Sequence, residues 1–146
     1  MINQIHPCLW FNGQAREAAE FYCSIFTDSK ITTVTPMVVM FELNGKKFMG
    51  LNGGAQFTFN EAVSFVVDCE TQEEIDYFWN RLTEGGQESR CGWLKDKFGL
   101  SWQVVPPVLG QMLSDTDREK AGRVMQAMMQ MDKIILADLH KAYEGK

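Results

Sequence analysis

Apolar and polar residues alternate along this chain in a pattern that predicts the same series of elements twice. Each series is a strand, an amphipathic helix and three more strands. In the first series the helix covers residues 14–26, with apolar residues at i, i+3, i+4 and i+7 spacing. Asn44-Gly45 predicts a tight hairpin turn between the last two strands. The four predicted strands are Ile5–Phe11, Lys30–Pro36, Val38–Leu43 and Lys47–Leu51.

The second series begins at about residue 60, after the Gly53-Gly54 pair. Thr71 followed three residues later by Glu74 is typical of a helix N-terminus, and Gly85-Gly86 is typical of a helix end. Its predicted strands are Ala62–Cys69, a weak edge strand Gln87–Arg90, Cys91–Leu94 and Leu100–Val105. The pattern therefore predicts an α+β fold with two βαβββ modules, about 3–58 and 60–106, followed by a helical tail, 107–146.

The tail contains few strand-forming patterns and many methionines. A short helical turn is predicted over Val108–Leu113 after a Pro-Pro pair, and the residues of 114–117 can cap a last helix that runs to about Tyr143. Methionines at helical spacing favour packing against a sheet or a second subunit; a functional methionine surface is the alternative. The apolar positions of this helix are Ala121, Val124, Met125, Met128, Met131, Ile135 and Leu139.

The segment from Cys91 to Pro106 carries the most informative polar residue. It is predicted to form two strands joined by a polar turn, in which Lys95 and Asp96 are ordinary turn residues. Gln103 lies inside the otherwise apolar second strand. Because successive strand residues face opposite ways, Gln103 shares a face with Ser101, and Trp102 faces a helix.

Composition and charge narrow the function. The 146 residues fit a single domain, and the net charge of −5 argues against non-specific binding to nucleic acid or an anionic membrane. The sequence pattern predicts neither a membrane-spanning segment nor a signal peptide. Four separated cysteines without a CxxC pair predict buried, reduced thiols in a cytoplasmic protein; a reactive thiol at Cys8 or Cys91 is the alternative.

Three segments resemble a known family. Pro7–Tyr22, Leu51–Gly54 and Cys91–Pro106 are similar to the PhnB-like family, which carries the inherited label "3-demethylubiquinone-9 3-methyltransferase". This family belongs to the glyoxalase/bleomycin-resistance, or vicinal-oxygen-chelate, superfamily, and the resemblance covers essentially the whole chain. It implies paired βαβββ modules that each curl around a cavity, commonly within a homodimer.

The methyltransferase label is not supported by the residues. S-adenosylmethionine is usually held by a glycine-rich loop between a strand and a helix. The only glycine-rich turn after a strand here is Asn52-Gly53-Gly54, and the residues that follow do not begin an amphipathic helix. We therefore do not expect methyl transfer.

The resemblance also implies positions for a divalent ion. Superfamily enzymes bind the ion through His, Glu or Gln on the first and last strands of each module. Only His6 and Gln103 match these positions, and a tight site needs three or more protein ligands. We expect an impaired or absent metal site and no cofactor, with His6 and Gln103 as the candidates if a divalent metal binds.

These observations lead to one preferred function and two alternatives. The preferred function is binding of an apolar or aromatic small molecule without turnover. The alternatives are a metal-dependent lyase, isomerase or dioxygenase-like enzyme acting on a small oxygenated substrate, and an interaction protein that uses the methionine-rich helix. The candidate ligand-binding residues are Cys8, Trp10, Asn52, Cys91, Trp93 and Gln103.

Overall fold

Both predicted βαβββ series form in the computed structural model, which describes residues 3–146. The chain divides into two compact units, Met1–Phe59 and Asn60–Lys146. Each unit contains one four-stranded mixed sheet with a helix on one face. The predicted α+β fold is therefore confirmed.

The first unit is built around a sheet with the strand order β1-β4-β3-β2. Its elements are β1 Cys8–Phe11, α1 Ala15–Ile25, β2 Lys30–Val34, β3 Val38–Leu43 and β4 Lys46–Asn52. β1 runs parallel to β4, and the other pairs are antiparallel. The predicted hairpin turn joins β3 to β4, with φ values of 53° at Asn44 and 76° at Gly45.

The second unit repeats this topology in the order β5-β8-β7-β6. Its elements are β5 Ser64–Asp68, α2 Gln72–Thr83, β6 Gln87–Glu88, β7 Trp93–Lys95 and β8 Ser101–Val105. Thr71 caps α2 as predicted, because its hydroxyl accepts a hydrogen bond from the Glu74 N–H at 3.1 Å. Leu94, Trp102 and Val104 are buried on the sheet face that packs against α2.

The structure of the tail contradicts the prediction of a single long last helix that runs to about Tyr143. The tail forms α3 Pro107–Leu113, α4 Arg118–Met129 and α5 Leu136–Glu144. Between α4 and α5, the carbonyls of Met131 and Asp132 accept hydrogen bonds from the N–H groups of residues 91 and 92 at 2.8 and 2.7 Å. Ile134 is fully buried nearby, so tertiary contacts replace the helical ladder at this point.

The methionines of the tail are divided between the interior and the surface. Met112 and Met131 are buried, whereas Met125 and Met129 are exposed on α4. None of the helices formed by residues 3–146 is long and apolar enough to cross a membrane.

Candidate functional site

The turn between β7 and β8 depends on Asp96, which is a buried residue rather than an ordinary turn residue. Its side chain is only 2% exposed. One carboxylate oxygen accepts hydrogen bonds from the N–H groups of Phe98 at 2.9 Å and Leu100 at 3.1 Å. The other accepts from the indole Nε1–H of Trp102 at 2.8 Å. Asp96 thereby holds Trp102 on the helix side of the sheet, and the neighbouring residues of β8 take the opposite face.

We call that opposite side the open face of the second sheet. The strand register places two rows of residues across it. The first row is polar and consists of Gln87, Lys95, Ser101 and Ser64. The second row contains Trp93, Gln103 and Val66. Two cavities lie over these rows, and Trp93 contributes to both.

The first of these, which we call the apolar cavity, has a volume of about 440 Å³. Its walls bring together three of the predicted ligand-binding residues, Cys91, Trp93 and Gln103. The Gln103 amide donates a hydrogen bond from Nε2 to the Ser64 hydroxyl oxygen at 3.0 Å. The remaining lining residues come from β5, the end of β8 and the tail: Asp68, Val105, Pro106, Pro107, Leu109, Gly110, Leu113 and Met128.

The second, which we call the polar cavity, has a volume of about 430 Å³. Lys95 lines it and pairs with Glu61, with 2.7 Å between Nζ and the carboxylate oxygen. This hydrogen bond and the positive charge of Lys95 lower the pKa of Glu61. Ser101 also lines the cavity and is fully buried, yet its hydroxyl has no hydrogen-bond partner.

Sequence reasoning missed most of the polar cavity. Alternation along the strand correctly placed Ser101 and Gln103 on one face. Lys95, however, was assigned to the turn, whereas it is the last residue of β7 and pairs with Ser101 across the sheet. Extending the predicted strand 91–94 by one residue would have placed Lys95 opposite Ser101. No residue near Lys95 in the sequence indicates its ion pair with Glu61.

Two of the predicted residues lie on the first strand of the first unit. Cys8 is exposed, and Trp10 follows two residues later on the same face of β1. The Trp10 indole donates a hydrogen bond to the Gly54 carbonyl at 2.9 Å. It also packs edge-to-face with the Phe57 ring, with 4.9 Å between the ring centroids. A Cβ atom at Gly53 would lie 2.3 Å from the indole, so this position accepts only glycine while Trp10 keeps its place.

Asn52 and His6 complete the predicted set. The Asn52 side chain is already engaged with the backbone: its oxygen accepts from the Ala15 N–H at 2.9 Å, and its nitrogen donates to the Pro36 carbonyl at 3.0 Å. His6 is half-buried and precedes β1, whereas Gln103 belongs to the second unit. Within residues 3–146, His, Cys, Asp and Glu side chains form no group of three that could hold a metal ion.

The cysteines differ in their surroundings. Cys69 is buried, and burial together with the charges of Glu74 and Asp68 raises its pKa to about 12. Cys23 and Cys91 are half-buried, and all four cysteines are free thiols. The expected burial therefore holds fully only for Cys69, and no disulfide joins any pair of them.

Comparisons with known proteins identify the family and the fold of this chain. The family model described as 3-demethylubiquinone-9 3-methyltransferase matches residues 3–105. A Bacillus cereus structure described as a 3-demethylubiquinone-9 3-methyltransferase, PhnB protein, has 34% sequence identity and a TM-score of 0.66. That match covers 71% of this chain and 99% of the Bacillus chain. A comparison with curated proteins gives no match.

More distant structures share the fold. A glyoxalase-related enzyme from Fulvimarina pelagi has 14% identity and a TM-score of 0.54, covering 74% of this chain and 91% of its own. The fosfomycin resistance protein FosX from Listeria monocytogenes, complexed with Mn(II) and sulfate, has 15% identity and a TM-score of 0.53, covering 73% and 91%. The chain therefore shares its fold with this glyoxalase-related enzyme and with FosX.

Proposed function

We propose that this chain, which belongs to the 3-demethylubiquinone-9 3-methyltransferase (PhnB-like) family, binds a small aromatic molecule on the open face of its second sheet. The apolar cavity carries this proposal. Its volume of about 440 Å³ lies in the range of small-molecule sites, which typically span about 300–1,000 Å³. Trp93 supplies an aromatic surface, and Gln103 supplies an amide oxygen that can accept a hydrogen bond from the ligand.

The composition of the walls defines the ligand class. Apolar side chains from β8 and the tail form most of the lining, and the polar groups are few. Such a surface favours an apolar body with one or two hydrogen-bonding groups over a highly charged molecule. Asp68 is the only charged residue among those lining the cavity.

The experiment uses 1-naphthol as a neutral aromatic probe and measures its effect on the melting temperature. At a probe concentration of ten times Kd, binding stabilises the native state by about 1.4 kcal/mol, which raises the melting temperature by roughly 4 °C. Tryptophan emission gives a second readout, and its change on binding should be smaller in Trp93→Phe because Trp93 lines the cavity.

A pair of glycine variants tests whether the probe binds in this cavity. Gly110 lines the cavity, and a Cβ atom there would meet no atom within 4 Å, so Gly110→Leu should fill space without a clash. Gly122 lies in α4, lacks close neighbours in the same way and is not among the lining residues. The proposal requires that Gly110→Leu weaken naphthol binding and that Gly122→Leu leave it unchanged.

We further propose that this binding needs no resident divalent ion. The Asn52 side chain is engaged by backbone groups at both its oxygen and its nitrogen, and the Gln103 amide oxygen is a single neutral donor, whereas a tight divalent site needs three or more protein ligands. The FosX structure contains Mn(II), but within residues 3–146 the His, Cys, Asp and Glu side chains of this chain form no group of three that could hold such an ion. Calorimetric titration with Mn(II), Ni(II) or Zn(II) tests this; one stoichiometric sub-micromolar site would instead support the metal-dependent enzyme.

The geometry gives no support to methyl transfer. Residues 55–63, which follow the glycine-rich turn, form no helix, so no helix N-terminus is available there for a nucleotide-bearing cofactor. We propose that the inherited family label does not describe the chemistry of this chain. Saturable binding of S-adenosylmethionine in the same calorimetric experiment would contradict this.

A homodimer is the assembly that we propose. Several large apolar side chains are exposed in the single chain, including Met37, Phe57, Val63 and Val66, and we propose that a second copy of the chain covers side chains of this kind. Light scattering at tens of micromolar protein should give twice the mass of one chain. A monomer under those conditions would refute the dimer without affecting the naphthol experiment.

A further inference from the structure

We infer that the polar cavity recognises a carboxylate group on the ligand, with Lys95 and Ser101 as the recognising residues. The inference rests on the proposed function, because Trp93 lines both cavities and can contact the aromatic body of the same molecule. It adds a ligand class, an aromatic carboxylate, and a second set of residues. Three independent features of the cavity lead to this ligand.

The first feature is the buried hydroxyl of Ser101. Ser101 has no exposed surface, and among the described residues its Oγ is the buried side-chain polar atom without a hydrogen-bond partner. Buried polar groups in folded proteins nearly always have partners, so a single exception needs an explanation. A ligand oxygen that accepts the Ser101 hydroxyl proton supplies one, since this residue lines the cavity.

The second feature is the position of Lys95 beside that hydroxyl. The two residues are direct partners in the antiparallel pairing of β7 with β8. Side chains at such paired positions lie on the same face, with Cβ atoms about 5 Å apart. The ammonium and the hydroxyl can therefore donate to the two oxygens of one planar group, which is the arrangement that a carboxylate satisfies.

The third feature is that a carboxylate already occupies this position. Glu61 contacts the Lys95 ammonium at 2.7 Å, yet 64% of the Glu61 side chain is exposed to solvent. It lies in the segment before β5, outside the regular structure of the sheet. An exposed ion pair of this kind is weak, so a ligand carboxylate that also reaches Ser101 can replace Glu61 on Lys95.

A second carboxylate near the cavity, that of Glu88, is held away from the position where the ligand carboxylate would bind. Glu88 lines the cavity, but it accepts a hydrogen bond from the Trp79 indole at 2.7 Å. Trp79 belongs to α2 and is buried beneath the sheet. The Glu88 carboxylate is thus directed toward the helix side, away from the open-face position that Lys95 and Ser101 share.

The experiment measures binding of benzoate by calorimetry, with the neutral isostere benzamide and with inorganic phosphate as comparison probes. Benzoate should bind at least about tenfold more tightly than benzamide, because a hydrogen bond to a charged group contributes roughly that factor. Lys95→Met should remove this preference, and Ser101→Ala should lower benzoate affinity about tenfold with little effect on benzamide. Lys97→Met is the matched control, since Lys97 is exposed on the turn that follows β7 and is not among the residues that line the cavity.

Glu61→Gln provides the sharpest test because it predicts a gain. Removing the competing carboxylate should raise benzoate affinity by about threefold and leave benzamide affinity unchanged. Equal affinity for benzoate and benzamide, or unchanged benzoate binding in Lys95→Met, would overturn the inference. Stronger binding of phosphate than of benzoate would also overturn it. In each of these cases the naphthol experiment still decides the proposed function separately.

Discussion

Asp96 offers a direct test of how the second unit holds its site in place. We consider the isosteric substitution Asp96→Asn, which preserves size and removes the negative charge. The carboxylate accepts three hydrogen bonds, from two backbone N–H groups and from the indole of Trp102. An amide can still accept the two backbone bonds on its oxygen, but its nitrogen then faces the Trp102 N–H, and both groups are donors.

The expected loss follows from this change in hydrogen bonding. A buried donor without an acceptor costs about 1–3 kcal/mol, and the two backbone bonds weaken when the acceptor loses its charge. Because Asp96 is only 2% exposed, water cannot replace the lost acceptor. We therefore expect the free energy of unfolding to fall by about 3 kcal/mol, which corresponds to a decrease in melting temperature of roughly 10 °C.

Urea unfolding of four proteins measures the effect: the original chain, Asp96→Asn, Trp102→Phe and the double variant. Trp102→Phe removes the indole donor, so the second substitution should cost about 1–2 kcal/mol less in that background. Asp132→Asn serves as the control, because this exposed carboxylate lies 4.0 Å from Arg90 and should change stability by less than about 0.5 kcal/mol. A loss below that value for Asp96→Asn, or no coupling to Trp102, would refute the reasoning.

Three further predictions concern packing, thiol chemistry and the end of the tail. Gly86→Ala should destabilise the protein by about 2 kcal/mol or more, because the new Cβ would lie 2.2 Å from a backbone carbonyl oxygen of β7. Gly122→Ala should stabilise the protein by about 0.5–1 kcal/mol, because Gly122 lies in the middle of α4 and a Cβ there meets no neighbour. Thermal unfolding measures both changes. Cys8 is exposed, although desolvation raises its pKa, and at pH 8 it should react with a disulfide reagent much faster than buried Cys69, whose pKa is about 12. Cys69 should react only in denaturant, as mass spectrometry of the labelled chain can show. Arg123→Met should destabilise the end of α5 by about 2 kcal/mol and speed its amide hydrogen exchange, because Arg123 donates to two of its last carbonyls at 2.8 and 2.9 Å.

The elements predicted most accurately are those whose signals are local. Thr71 and Glu74 lie three residues apart, and both groups of the N-cap are contained in that short segment. Asn44 and Gly45 adopt the positive φ values that a two-residue hairpin requires, so the turn follows from these two residue types alone. Periodicity and turn chemistry were sufficient in these places because no distant residue competes with them.

The break in the tail illustrates what local signals cannot show. Gln72 of α2 donates to the Ile134 carbonyl at 3.0 Å and accepts from the Leu136 N–H at 2.8 Å, where α5 begins. A side chain more than sixty residues away thus supplies the hydrogen bonds that a continuous helix would have made itself. The apolar spacing continues past this region through Ile135 and Leu139, so the pattern alone predicts one helix.

The candidate site was predicted in part for the same reason. Alternation along a single strand separates Gln103 from Trp102, which requires only the period of a strand. Recognising Lys95 and Ser101 as a pair requires the register between two strands, and recognising Glu61 requires the position of a segment outside the sheet. The burial of Asp96 is likewise set by the distant indole that it binds, not by the turn in which it lies.

The origin of the cavity walls limits what family membership can say about the ligand. The family match ends at residue 105, and the Bacillus relative is covered almost completely by 71% of this chain. Yet the wall of the apolar cavity includes Leu109, Leu113 and Met128, which belong to the tail. Substitutions among these three should therefore change which aromatic ligands bind while leaving the carboxylate preference set by Lys95 intact. If tail substitutions instead removed the benzoate preference and left naphthol binding unchanged, the division of the open face into two cavities with separate roles would be wrong.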